Sequence, residues 1–229
     1  MTLVSNLING ISLGSVYAII ALGYTMVYGI AKMLNFAHGD VIMVGAYMCF
    51  CSMTYLSLPP IVSILIAMVV CTLLGVIVEV LAYRPLRKAS SLAVLITAIG
   101  VSYLLQNAAL LIWGSAPKTF SSVVPFGSVS LFNGDLIITG ESIVTVAACV
   151  VIMICLTVFT KKSRMGKAMR AVSEDKDAAQ LMGINVNKTI AITFAIGSAL
   201  AAIAGVLLCS AYPALTPTTG SMPGIKAFT

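Results

Sequence analysis

Polar and charged positions in this chain fall in a few short clusters, and between them run long apolar stretches. The uncharged runs are Met1–Ala31, Val41–Val78, Ala89–Pro117, Ser142–Thr160 and Thr189–Ile225, of 31, 38, 29, 19 and 37 residues. A helix crossing a bilayer needs about 20 apolar residues. A membrane barrel would instead show segments of roughly 10 residues with alternating polarity. The runs are too long and too continuous for that, so helices that satisfy their own backbone groups are expected. Pro59-Pro60 divides the second run, because proline ends a helix and restrains the residue before it. The pattern predicts an all-α polytopic bundle in one membrane domain. Its six spans lie near 5–31, 41–57, 61–83, 92–113, 142–160 and 189–212, and the second, at 17 residues, is short enough to be tilted or re-entrant.

Composition agrees. Of the 229 residues 60% are hydrophobic and 9% charged, with a mean hydropathy of +1.08. Soluble domains carry about 25% charged residues, so this chain cannot cover a water-facing surface. The net charge of +6 is a topology signal. Segments 32–40, 84–91 and 161–188, which alternation puts on one side, hold eleven Lys and Arg, among them Lys88. The other side holds Lys118 and Lys226. The positive-inside rule then places the N-terminus outside and the basic segments in the cytoplasm. Basic residues beside spans, with no surface of their own, argue against nucleic-acid binding. No Lys or Arg precedes residue 32, so the first run reads as a retained span and not as a secretory signal.

Segment 161–188 carries ten of the twenty charges. Within it Ser173 suits an N-cap, Glu174, Asp175 and Asp177 suit the positive end of a helix dipole, and Gly183 suits the left-handed C′ position. A helix of roughly 13 Å is expected over 174–182, with Ala178, Leu181 and Met182 on one small apolar face. An interfacial helix on lipid headgroups should be basic and carry bulky anchors. This one starts acidic, so a protein partner is the better reading.

Other candidate positions are fewer. Asn35, Phe36, His38, Gly39 and Asp40 interrupt the apolar pattern between the first two spans. They read either as a polar break lining a pathway or as an ordinary helix start. A charged Asp40 at the bilayer centre costs about 2.5–3.5 kcal/mol, unless His38 or Lys32 partners it. Glu79 is expected to pair with a nearby basic residue. Gln106 and Asn107 are expected to face other helices, with a pathway role as the alternative. Gly10/Gly14 and Ala201/Gly205 are small-xxx-small pairs suited to close helix packing. The six cysteines lie in uncharged runs and read as apolar packing. A lone histidine makes no metal site. Residues 114–141, broken by Pro117, Pro125, Gly127, Asn133 and Gly134, form the sizeable external segment.

Glu174, Ala178, Ala179 and Gly183 give the E-x3-AA-x3-G pattern, which resembles the cytoplasmic coupling loop of ABC-importer permeases. The stretch Asn9–Tyr47 with its NFAHGD core (Asn35–Asp40), AYRPLR (Ala82–Arg87), ITAIGVSYLLQN (Ile96–Asn107) and SRMGKAMRAVSEDKDAAQLMGIN (Ser163–Asn185) together resemble the LivH-type permeases for branched-chain amino acids. The resemblance implies a bacterial inner-membrane transporter subunit that is not itself an enzyme. It implies Ser173, Glu174, Asp175, Asp177, Ala178, Ala179, Leu181 and Gly183 as the ATPase-coupling segment. The implied partners are ABC ATPase subunits that bind ATP and Mg, a second LivM-like permease subunit and an extracytoplasmic substrate-binding protein. Family members continue with further helices beyond the AFT at 227–229, so the resemblance also implies a C-terminal truncation. The chain has no G-x4-GK-[ST] phosphate loop, in keeping with ATP hydrolysis elsewhere. Urea or short amides are the alternative substrates. A passive channel would not need the acidic helix, and the motifs of an intramembrane enzyme (paired aspartates, HExxH, a serine with a base) are not seen.

Overall fold

The computed structural model describes residues 2–87, 89–124, 127–131 and 136–228. Lys88, Pro125, Asn133, Gly134 and Asp135 lie outside the described residues. Helix α1 (Thr2–Ala31) leads to α2 (His38–Thr54), α3 (Pro60–Val78) and α4 (Ser91–Trp113). Pro60 opens α3 at its first turn, where a missing N–H costs nothing. The far end of α3 passes through a π-helical turn, Glu79–Tyr83, and a 3-10 turn, Arg84–Leu86. Four further helices follow: α5 (Gly140–Lys162), α6 (Arg164–Glu174), α7 (Lys176–Leu181) and α8 (Val186–Ala211). A last helix, α9, covers Ser221–Phe228.

Among the described residues five helical segments are long and apolar enough to cross a bilayer: Leu3–Ala31, Pro60–Leu86, Ser91–Trp113, Gly140–Lys162 and Val186–Ala211. The remaining expected span is α2, whose 17 residues reach about 26 Å, short of a hydrocarbon core about 30 Å thick. It is not a lipid-facing span. It is buried along most of its length, packed between α8 and α3.

The contacts of α2 set its depth. Asp40 bonds Gln106, fifteen residues into α4 and so about 22 Å from the start of that helix, beside the basic segment 84–88. Tyr47 stacks on Trp113 at the outer end of α4, with centroids 4.4 Å apart. The helix therefore begins inside the bundle and ends outside, and residues 32–37 climb to its start. Asp40 does not sit at the cytoplasmic edge.

Residues 114–141 contain short strands as well as breakers. β1 (Lys118–Thr119) pairs antiparallel with β4 (Ala214–Leu215), and β2 (Val129–Leu131) with β3 (Leu136–Ile138). After β4 the chain turns back into the bundle, and the backbone of Gly220 lies so close to that of Gly39 that a Cβ on either would overlap it. The return corrects the place expected for Lys226. Its Nζ lies 5.2 Å from the ring centre of Tyr17, halfway along α1, and not on the outer side. Gly205 packs against the carbonyl of Ile42 as a small-residue contact should, whereas nothing lies within 4 Å of a Cβ on Gly10 or Gly14. Cys49, Cys71, Cys149 and Cys209 are buried and unpaired.

Candidate functional site

The basic segment after α5 forms two helices, not one. Ser163 caps α6, its hydroxyl accepting the Gly166 N–H at 2.8 Å. That helix runs on through Ser173 to Glu174, so Ser173 is no N-cap; its hydroxyl donates back to the Arg170 carbonyl at 2.7 Å. The break falls at Asp175, in extended geometry at φ −147° and ψ 118°, and its carboxylate accepts the N–H groups of Asp177 (2.8 Å) and Ala178 (3.0 Å). Both residues can cap a helix, but an ionised carboxylate at the positive helix end outbids a hydroxyl. The expected 174–182 helix is thus α7, starting two residues later. Its end is as expected: Gly183 has φ +82°, and the Ile184 N–H reaches back to the Ala179 carbonyl at 3.0 Å.

Only one face of α7 meets the bundle. Ala179 is buried, whereas Leu181 and Met182 are 89% and 83% exposed and Ala178 is exposed beside them. On the bundle side Lys176 Nζ donates to the Ala31 carbonyl at 2.8 Å, closing the C-terminus of α1 with a cation as helix ends prefer. Burial lowers the pKa of Lys176, and the nearby charges of Arg87 and Lys32 add to this.

Beside this contact Glu79 is fully buried and binds two arginines, Arg84 at 3.1 Å and Arg87. This is the expected pairing. Arg87 also donates to Asn187 at the start of α8. Burial lowers its pKa, opposed by Glu79. Tyr83 donates to Asn35 Oδ1 at 2.9 Å, which fixes the climbing segment 32–37 to the end of α3. The ends of α1, α3, α7 and α8 are therefore joined through polar side chains around a cleft of 680 Å³.

The second group lies deeper. Asp40, 2% exposed, accepts from Gln106 Nε2 at 2.9 Å, and the same amide lies 3.1 Å from Ser102 Oγ and 3.4 Å from Ser221 Oγ. These four residues line a cavity of 290 Å³ with Phe36 among its walls. The partners of Asp40 are thus Gln106 and Ser102 on α4, and neither Lys32 nor His38. The His38 ring turns toward Gly23 and Tyr24. Asn107 does not join the group: it is exposed and donates to its own helix at the Tyr103 carbonyl, 2.8 Å. Ser102 was findable, one turn before Gln106 on the same helix face. Ser221, and Lys176 as a partner of Ala31, were not, since the first contact spans 115 residues and the second 145.

Five membrane-length helices among the described residues, a short buried helix with a polar start and a capped helix projecting at the basic end define a multi-pass helical membrane protein. The sequence pattern of the family described as branched-chain amino acid transport system / permease component matches residues 6–229, and the chain belongs to that family. It is a multi-pass inner-membrane protein. It is 43% identical, over 97% of its length and 76% of the relative's, to the high-affinity branched-chain amino acid transport system permease protein BraD of Pseudomonas aeruginosa. It is 42% identical to the corresponding permease LivH of Escherichia coli K12, over 96% of this chain and 75% of that one. A probable LivH of Methanocaldococcus jannaschii is 29% identical over 92% of this chain and 67% of its own. No solved structure matches the chain.

Proposed function

We propose that the chain is the membrane-spanning subunit of an importer for branched-chain amino acids, driven by ATP hydrolysed on separate ABC subunits. The observation that carries this is α7. It is a short helix held rigid by Asp175 at one end and Gly183 at the other, and it turns Ala178, Leu181 and Met182 away from the bundle. Glu174, Asp175 and Asp177 put negative charge at the start of the same helix. This suits a groove on a protein partner better than anionic lipid.

Lys176 would transmit a push on α7 to the end of α1, and the short link 182–185 would transmit it to α8. Segment 32–37 follows α1 directly, so the same movement reaches α2 and Asp40. Binding of ATP would then shift the bundle between inward and outward states through differential affinity. The second permease subunit and a substrate-binding protein on the outer side complete the assembly, and ATP and Mg belong to the ATPase subunits.

The test is uptake by proteoliposomes holding the chain with these partners. ATP-dependent accumulation of labelled leucine is expected. Accumulation of labelled urea in its place would move the substrate to short amides, and leucine flux without ATP would favour a passive channel.

A further inference from the structure

We propose that Asp40 is the ammonium-binding residue of a substrate site in the 290 Å³ cavity, so that the bundle itself reads the amino group of its cargo. The inference rests on the transport reading above. Four observations carry it. First, Asp40 is an acidic side chain buried inside a membrane bundle, about 22 Å along α4 from the start of that helix. Ionisable groups at such depth are costly and mark substrate or ion pathways. Second, among the described residues no cation lies within 4.0 Å of it, whereas the other buried acid, Glu79, has two arginines. Third, its neighbours orient it without neutralising it: Gln106 donates to Oδ1, the Ser102 hydroxyl also bonds the carboxylate, and Ser221 lies beside the same amide. Fourth, the cavity joins this polar end to the apolar and aromatic surface of Phe36, Ile99 and Ile225.

A carboxylate without a cation at one end of an apolar cavity suits a small molecule that carries an ammonium next to a branched aliphatic chain. An arriving ammonium supplies the missing charge, and the N–H···O⁻ bonds it forms are of the strong, charge-assisted kind. The aliphatic part gains from burial against Ile99 and Ile225, which are otherwise exposed. No bond is made or broken.

The test has two parts, both on the complex with its partner subunits. The first is ATP-driven leucine uptake by the parent, Asp40→Asn and Asp40→Glu. No ATP-driven uptake by the parent would defeat the transport reading itself. If the parent transports, Asp40→Asn is expected to lower uptake about tenfold or more, the loss of roughly one ion pair's worth of affinity, with partial recovery in Asp40→Glu. Asp40→Asn uptake within about twofold of the parent would overturn the assignment.

The second part does not depend on delivery by a binding protein. Competition against labelled leucine is measured on the solubilised complex with leucinol, which keeps the ammonium, and with 4-methylpentanoate, which lacks it. In the parent, leucinol should compete and 4-methylpentanoate should not, and Asp40→Asn should erase that preference. A role for Asp40 in folding alone predicts no change in the ratio between the two competitors. Equal competition by both in the parent would overturn the proposal.

Discussion

At the scale of single residues, the strongest claims concern where a carboxylate does work that a hydroxyl does not. Asp175 caps α7 and Ser173 does not. Asp175→Ala should destabilise the short helix by about 1 kcal/mol, seen as faster hydrogen exchange of the amides of Asp177 and Ala178. Ser173→Ala should leave those rates unchanged. Equal effects would return the cap to Ser173. Glu79 is the buried counter-ion of Arg84 and Arg87, and removing one partner of a buried pair typically costs about 3–5 kcal/mol. Glu79→Gln is therefore expected to lower the thermal transition of the detergent-solubilised protein markedly, whereas a change at an exposed acid such as Glu174→Gln should not.

Much of this was legible in the sequence, because it depends on local chemistry. Gly183 as a left-handed stop, Glu79 as one half of an ion pair and Asp40 as an acid in need of a partner all follow from residue type and position. The partner of Asp40 did not follow. His38 and Lys32 are its neighbours along the chain, and Gln106 is its neighbour only after α2 and α4 have packed side by side.

At the scale of elements, apolar run length located the five described helices that are long and apolar enough to cross, since hydrocarbon thickness is a ruler that sequence can read. For α2 the short run left a tilted or re-entrant segment open, and a helix sheathed by other helices needs no lipid-matching length. The sequence pattern also joined α6 and α7 differently, because a cap position depends on which of two adjacent cap-capable residues the backbone extends at. Lys176 links α7 to the end of α1. Lys176→Met should uncouple the two, lowering leucine uptake per ATP hydrolysed while the ATPase subunits still co-purify, and Lys176→Arg should restore a good part of it. Parallel loss of ATPase binding and uptake in Lys176→Met would show that the residue serves docking alone.

At the scale of the whole molecule, the charge asymmetry sets orientation, and the positive-inside rule makes the end bearing α6 and α7 cytoplasmic. In sealed right-side-out vesicles an epitope at residue 1 should be reached by external protease, and one at residue 170 only after lysis. The opposite pattern would invert the bundle and remove the basis for an ATPase contact.

The central claim is that the exposed tip of α7 is where a separate ATPase grips the bundle. Site-specific photo-crosslinking at Leu181 and at Met182, in the assembled complex, tests it most directly. Adducts to the ATPase subunit are expected from both positions, responsive to ATP, and none from the exposed control Leu111 at the far end of α4. Adducts to lipid alone from Leu181 and Met182, with the ATPase subunit present, would contradict it.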